Sequence, residues 1–186
     1  MRYDLKLQLV DVKGAYLNVK LDDTVYMHQP EGFIKKGEEN LVCKLNKSIY
    51  GLKQSGQVWH GTMRQEMEKI SFTPGKADPM VYLQFRRNRG IDVTGWYMDD
   101  RLLAANSVKS MEKMLTNIKG SFNIEDLGEP TQLLCIKISR NCELGSIHIS
   151  QPSFIDTITK KFEITPGHSI HVPMDLNIEL QALSQE

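Results

Sequence analysis

No stretch of this chain reaches the 18 apolar residues that a membrane-crossing helix needs, and no signal peptide opens it, so no membrane partner is expected. Charge of one sign is also missing. Lys plus Arg number 23 and Asp plus Glu number 23, so no overall basic field announces a nucleic-acid partner, and any such contact must use local patches. Cysteine is scarce. Cys43, Cys135 and Cys142 show no CxxC spacing and leave one thiol over under full pairing, which argues against a disulfide framework and for a reducing, intracellular and cytoplasmic setting. Repeats and low-complexity tracts are absent as well. What remains is 186 residues, 40% hydrophobic and 25% charged, enough for one domain with its own core.

The most informative stretch is Gly95-Trp96-Tyr97-Met98-Asp99-Asp100-Arg101-Leu102-Leu103. Apolar or β-prone residues flank two adjacent acids, which predicts a β-hairpin with Asp99 and Asp100 at its tip. No Asn-Gly or Asp-Gly is there to make the usual tight turn. Two like charges side by side repel, and that makes them a place to hold a divalent cation. On the dipeptide alone, a solvated hairpin tip explains them as well. A second stretch, Leu7 to Leu17, reads as a strand ending in Asp11, with Gly14 soon after to allow close backbone approach. Three carboxylates on two strand ends are the ligand set that two hard cations need for activating a 3′-hydroxyl and stabilising a leaving pyrophosphate.

Five motifs then occur in order. They are Asp11-Val12-Lys13-Gly14-Ala15-Tyr16-Leu17-Asn18, Tyr26-Met27-His28-Gln29-Pro30-Glu31-Gly32-Phe33, and Cys43 through Gly56 with Tyr50-Gly51-Leu52-Lys53-Gln54-Ser55 at its heart. Tyr97-Met98-Asp99-Asp100 and Asp126-Leu127-Gly128-Glu129-Pro130 complete the set. Together they resemble the reverse transcriptase (RNA-directed DNA polymerase) of copia-type LTR retrotransposon polyproteins, from about residue 7 to about residue 176. The resemblance implies that Asp11, Asp99 and Asp100 are catalytic and that Asp11, Val12, Asp99 and Asp100 are metal-holding positions for Mg²⁺, with Mn²⁺ as a substitute. It implies nucleotide contacts at Tyr16, Gly51, Lys53, Tyr97 and Met98, with Tyr16 as a steric gate against the ribose 2′-hydroxyl. From the residues alone, Tyr16 reads as a core tyrosine, a reading the resemblance reverses, and Lys53 reads equally as a solvated lysine. Leu134, Cys135 and Ile136 resemble the primer grip. Relatives usually read Leu-Gly-Ile there, and the cysteine is expected to crowd a backbone that approaches the primer closely.

Other elements follow from patterning. Strands are predicted over residues 5–12, 24–27, 41–45, 77–85, 133–139 and 146–150. Ser55 is a candidate N-cap for a helix carrying Val58, Trp59, Met63, Met67 and Ile70 on one face. Ser107 can cap a second helix with Val108, Met111, Met114, Leu115 and Ile118 inward, and Gly120 suits its end. Pro152 fits the first turn of a last helix with Phe154, Ile155, Ile158 and Phe162 on its inner side. Arg86-Arg87-Asn88-Arg89-Gly90 reads as a basic hairpin turn, either solvated or touching phosphate. A zinc site at His168 and His171 lacks further ligands nearby.

The fold expected is α+β: a polymerase palm, an antiparallel sheet backed by helices, with partial fingers and the start of a thumb. Residues 1–150 would be palm and partial fingers, and 151–186 the start of a thumb or connector. The chemistry expected is two-metal nucleotidyl transfer on an RNA or DNA template-primer and a dNTP. Relatives carry a longer fingers segment before the palm and ribonuclease H and integrase in the same polyprotein, which in the family works inside a virus-like particle. With Asp11 only ten residues from the first, this chain is expected to be a truncated fragment of low or no activity alone. One alternative is an inactive retroelement relic that folds and at most binds nucleic acid. Another is a different two-metal enzyme such as a nucleotide cyclase, against which loop 50–55 with Tyr16 argues.

Overall fold

The structure, a computed structural model, describes residues 4–87 and 90–164. The predicted first strand is β1 (Lys6–Val12). Its Val10 and Val12 are fully buried, so by strand alternation Asp11 faces the other side of the sheet. After β1 come a 3-10 turn at Ala15–Asn18 and a two-stranded hairpin, β2 (Tyr26–His28) with β3 (Val42–Lys44). Gln29 braces the loop between these strands. Its amide donates to the Glu38 and Leu41 carbonyls at 2.6 and 3.1 Å and accepts the Lys35 N–H at 2.9 Å.

The main body is a six-stranded antiparallel sheet. Its later strands are β4 (Thr73–Pro74), β5 (Val81–Phe85), β6 (Ile91–Tyr97), β7 (Asp100–Ala105) and β8 (Ile124–Gly128). The order across the sheet is β4-β5-β6-β7-β1-β8. Thus β1 lies between two strands that come much later in the chain. Helix α1 (Ser55–Lys69) buries Trp59, Met63 and Met67, each four residues from the next, as the stripe predicted. Helix α2 (Val108–Ser121) buries Met111, Met114 and Ile118. With Val10, Val12, Trp96, Leu103 and Phe122 these side chains form one core. Trp59 stands edge-on to Trp96 and Phe122, with centroids 6.5 and 5.3 Å away.

Among the described residues, two charged side chains are buried inside this body. Asp92 is fully buried and satisfied, by the Arg86 guanidinium, by the Ser110 hydroxyl at 2.6 Å and by the Asn106 N–H at 3.2 Å. Arg86 of the predicted basic turn is therefore committed to an internal ion pair rather than offered to phosphate. Asn88 and Arg89 lie outside the described residues. Arg101 is fully buried over the Trp96 ring. One of its guanidinium nitrogens reaches Met67 Sδ at 3.5 Å, while Nε and Nη1 have no hydrogen-bond partner among the described residues. Burial without a counter-charge holds its pKa well below the usual arginine range.

Beyond β8, a separate three-stranded sheet is ordered β11-β10-β9, with β9 (Gln132–Leu133), β10 (Ile136–Asn141) and β11 (Ser146–Ser150). Helix α3 (Pro152–Lys161) follows, with Pro152 in its first turn as expected. The fold of the described residues is thus mixed α/β, with antiparallel sheets and three α-helices.

Several local expectations are corrected. Ser55 is not an N-cap. It is the first helical residue, buried, and its hydroxyl donates to the Ile49 carbonyl at 2.7 Å, closing the preceding loop on itself. Gly120 lies inside α2 rather than beyond it, because the helix continues to Ser121 and leaves in extended form at the buried Phe122. The predicted strand over 77–85 begins only at Val81. Asp78 accepts the Met80 N–H at 2.8 Å and holds the residues before the strand in a turn. The predicted strand over 133–139 is broken. Leu134 and Cys135 take φ of 49° and 64° and turn β9 back onto β10. The inner side of α3 is not covered among the described residues: Phe154, Ile155 and Phe162 are each more than half exposed, and none of its residues is buried. His168 and His171 lie outside the described residues, as does most of the predicted tail.

Candidate active site

The acids meet at the end of the main sheet. β6 and β7 form the predicted hairpin, with Tyr97 opposite Asp100 and only Met98 and Asp99 between them. A two-residue turn requires left-handed backbone, usually supplied by Asn or Gly; here Met98 supplies it with φ of 51°. Two donors hold that turn from outside. Trp59 Nε1 donates to the Met98 carbonyl at 3.1 Å, and the Val12 N–H donates to the Asp99 carbonyl at 2.9 Å. Val12 therefore touches the site through its backbone, while its side chain is core.

Asp11 is directly opposite Asp100 on β7 and directly opposite Glu125 on β8. Three carboxylates thus lie side by side across three strands, with Asp99 beside them at the turn. Directly opposed residues on neighbouring strands have Cβ atoms about 5 Å apart, so their charges repel. The pKa of Asp11 is raised, first by partial burial, then by Asp99, Asp100 and Glu125, against a smaller lowering by Lys13. Lys13 bridges to Glu125 at 3.1 Å.

Asp99 has a further partner. The Tyr50 hydroxyl donates to its Oδ2 at 2.6 Å. Burial, then this bond, push the Tyr50 pKa up to about 12, so the phenol stays a donor. Asp99 Oδ1 is buried and has no hydrogen-bond partner among the described residues. The Tyr16 ring packs on the Tyr50 ring, centroids 4.8 Å apart and tilted by 59°. Gly51 follows with φ of 95°, a conformation that no ordinary side chain adopts without strain, so the glycine is required by the backbone itself. Lys53, Tyr97 and Met98 are exposed.

The structure therefore brings Asp11, Val12, Tyr16, Asp99 and Asp100 together through Tyr50 and the strand register. It does not bring in Leu134, Cys135 and Ile136. Leu134 and Cys135 form the turn, and Ile136 the start of β10, in the separate three-stranded sheet, and no hydrogen bond or ion pair among the described residues ties them to the acids. Three participants were missed in the sequence. Tyr50 lay inside a quoted loop, but nothing marked its hydroxyl. Trp59 was read as core, which it is, without its second task of holding the turn. Glu125 precedes Asp126 of the last motif, and only the register of β1 against β8 places it beside Asp11.

As the side chains stand, no set of three or more carboxylate, imidazole or thiol groups among the described residues is arranged to hold a metal ion. The donor chemistry nevertheless fits a hard divalent cation. The carboxylates crowd one another, and a buried carboxylate oxygen lacks any partner.

An antiparallel sheet thus presents paired acids at a hairpin and a third at the end of the neighbouring strand. The family model for the reverse transcriptase (RNA-dependent DNA polymerase) matches residues 1–176, and the chain belongs to that family. Its relatives are of the copia and Ty1 type. It is 31% identical over 177 residues to the retrovirus-related Pol polyprotein from transposon TNT 1-94 of Nicotiana tabacum, covering 95% of this chain and 13% of that protein. It is 31% identical over 168 residues to the Pol polyprotein from transposon RE1 of Arabidopsis thaliana, covering 90% of this chain and 11% of that protein. Against a transposon Ty5-1 protein of Saccharomyces cerevisiae it is 27% identical over 165 residues, covering 89% of this chain and 53% of that protein. The chain thus spans a small part of the plant polyproteins it matches, and among the described residues no helix is long and apolar enough to cross a membrane.

Proposed function

We propose that this chain carries the nucleotidyl-transfer centre of a retrotransposon polymerase. The observation that carries the reading is the placement of Asp11 opposite Asp100, with Asp99 at the adjoining turn. In this reading the six-stranded sheet with α1 and α2 is the palm, the β2–β3 hairpin is part of the fingers, the Leu134–Cys135 turn is the primer grip, and α3 starts the thumb. Residues 1–150 and 151–186 divide accordingly, with Pro152 opening the second part.

Asp11, Asp99 and Asp100 would hold Mg²⁺, which when bound supplies Lewis-acid activation of a primer 3′-hydroxyl and neutralises the departing pyrophosphate. The chain's own residues do the positioning. Trp59 and Val12 fix the turn so that Asp99 cannot drift. Tyr16, resting on Tyr50, faces the sugar and excludes a 2′-hydroxyl. Gly51 keeps the loop free of a side chain where the nucleotide approaches, and Lys53, Tyr97 and Met98 line the exposed rim against template-primer and dNTP. Most of the barrier reduction in such transfers comes from positioning and charge stabilisation. Near the acids the described cations are few, since Lys13 is already paired with Glu125. The isolated 186 residues are therefore expected to extend primers slowly.

One observation favours a second reading, an inactive relic. Arg101, immediately after the acid pair, is buried with two unpartnered nitrogens, a local conflict of the kind that accumulates once selection relaxes. Primer extension on poly-rA with oligo-dT, in Mg²⁺ and in Mn²⁺, separates the two. Extension that Asp100→Asn abolishes supports the polymerase; none from a folded protein, even with a fingers segment from a relative joined upstream, supports the relic.

A further inference from the structure

We propose that Lys13 binds the phosphate chain of the incoming nucleotide, or the pyrophosphate that leaves, and that Glu125 is the positioning residue that holds Lys13 until the anion arrives. The proposal rests on the nucleotidyl-transfer reading above and gives that centre a cation it otherwise lacks. The observation behind it is a run of alternating charge where β1 meets β8. Asp11 stands directly opposite Glu125, and Val12 opposite Ile124. The Lys13 N–H donates to the Asn123 carbonyl at 2.9 Å and carries the pairing one step further. From there the Lys13 ammonium reaches back to Glu125 Oε2 at 3.1 Å, beside Asp11.

The root and the tip of Lys13 are held on different terms. Its backbone is fixed on both sides, by the bond to Asn123 and by the Asn18 amide, which donates to the Lys13 and Gly14 carbonyls at 3.1 and 2.9 Å. The side chain beyond is 53% exposed and its partner 56%. An ion pair so open to water is weak, and salt screens it further. A phosphate chain offers more charge than one carboxylate and several acceptor oxygens, and lysine is a compact point-charge partner for it. An anion gathered at Asp11 comes within the sweep of a side chain rooted two residues away. The ammonium can turn from Glu125 to a phosphate without any backbone movement, exchanging a weak contact for a stronger one.

Glu125 acts on such an anion in two ways. It competes for Lys13, and as a negative charge beside Asp11 it repels the phosphates directly. Only the first effect needs Lys13, so the two separate in a double-mutant cycle. Pyrophosphate with Mg²⁺ is titrated calorimetrically into the 186-residue chain and into Lys13→Gln, Glu125→Gln, the double variant and Asp99→Asn. Both residues of the pair are exposed, so circular dichroism should show the fold unchanged. Lys13→Gln should weaken binding by about tenfold, the loss of one charge-assisted contact. Glu125→Gln should tighten it severalfold, and most of that gain should vanish in the double variant. Wild-type affinity in Lys13→Gln, or an equal Glu125→Gln gain with and without Lys13, overturns the proposal. If Asp99→Asn loses binding while Lys13→Gln keeps it, the metal site stands and only the role of Lys13 falls. Wild-type affinity in Asp99→Asn, or no binding by the wild type and Glu125→Gln alike, overturns both.

Discussion

The six-stranded sheet and the three-stranded sheet are built on opposite terms. In the larger one, β6 buries Asp92, Thr94 and Trp96 in strict alternation, and β7 buries Arg101, Leu103 and Ala105. In the smaller one, no residue of β10, β11 or α3 is buried among those described, and Ile149, Phe154, Ile155 and Phe162 stand exposed. The larger unit has a core of its own and uses it to fix the acids. The smaller one displays apolar residues and carries a turn whose backbone its sequence does not favour. Precision is concentrated where the carboxylates are.

The largest expected effect sharpens that contrast. Trp59→Ala should cost about 3–5 kcal/mol, since it empties a fully packed position and frees the Met98 carbonyl. Phe154→Ala, on the uncovered face of α3, should stay within about 0.5 kcal/mol. Urea unfolding of both variants measures the difference, and comparable losses would break the comparison. A smaller effect, of opposite sign, belongs to the three-stranded sheet. Cys135 holds φ of 64°, so Cys135→Gly should relieve about 1 kcal/mol of backbone strain. Hydrogen exchange should show slower opening of the β9–β10 turn with the main sheet unaffected.

Much of this molecule was legible in the sequence because period and burial agreed. The strand ending at Asp11, the hairpin around Asp99 and Asp100, the stripe of Trp59, Met63 and Met67, and Pro152 at a helix start were all readable. The Leu134–Cys135 turn was not, because neither residue is one that left-handed backbone selects. Ser55 and Gly120 misled for a related reason: each has a cap preference, and in each case a tertiary demand, loop closure or the burial of Phe122, prevailed. In the site, the three acids could be read off; the Tyr50 bond, the Glu125 neighbour and the buried Arg101 depend on register and packing that no spacing encodes.

The smallest effect tests the crowding of the carboxylates. The folded pKa of Asp11 is raised above the ordinary 3.8, so the native state binds the proton more readily than the unfolded chain. Its charge therefore costs stability, and the cost grows as pH rises through the window between the unfolded and folded values and persists at neutrality. Asp11→Asn should raise Tm slightly at pH 7, and the gain should shrink toward pH 4 as both states of Asp11 become protonated. A gain that grows on acidification would show that its neighbours stabilise the charge.

The place of β1 in the sheet has a consequence for how the molecule comes into being. Its partners β7 and β8 begin at Asp100 and Ile124, so β1 waits for all the intervening residues before it can pair on either side. Contacts this remote in sequence close late and slowly, because the loop entropy is spent before any pairing repays it. Until then Val10 and Val12 are exposed on an unpaired strand, open to wrong partners on a crowded ribosome. The zipper that seals β1 between β7 and β8 is also the one that sets Asp11 against Asp100. Until β1 pairs there is no carboxylate cluster, and the same step completes both the sheet and the candidate site.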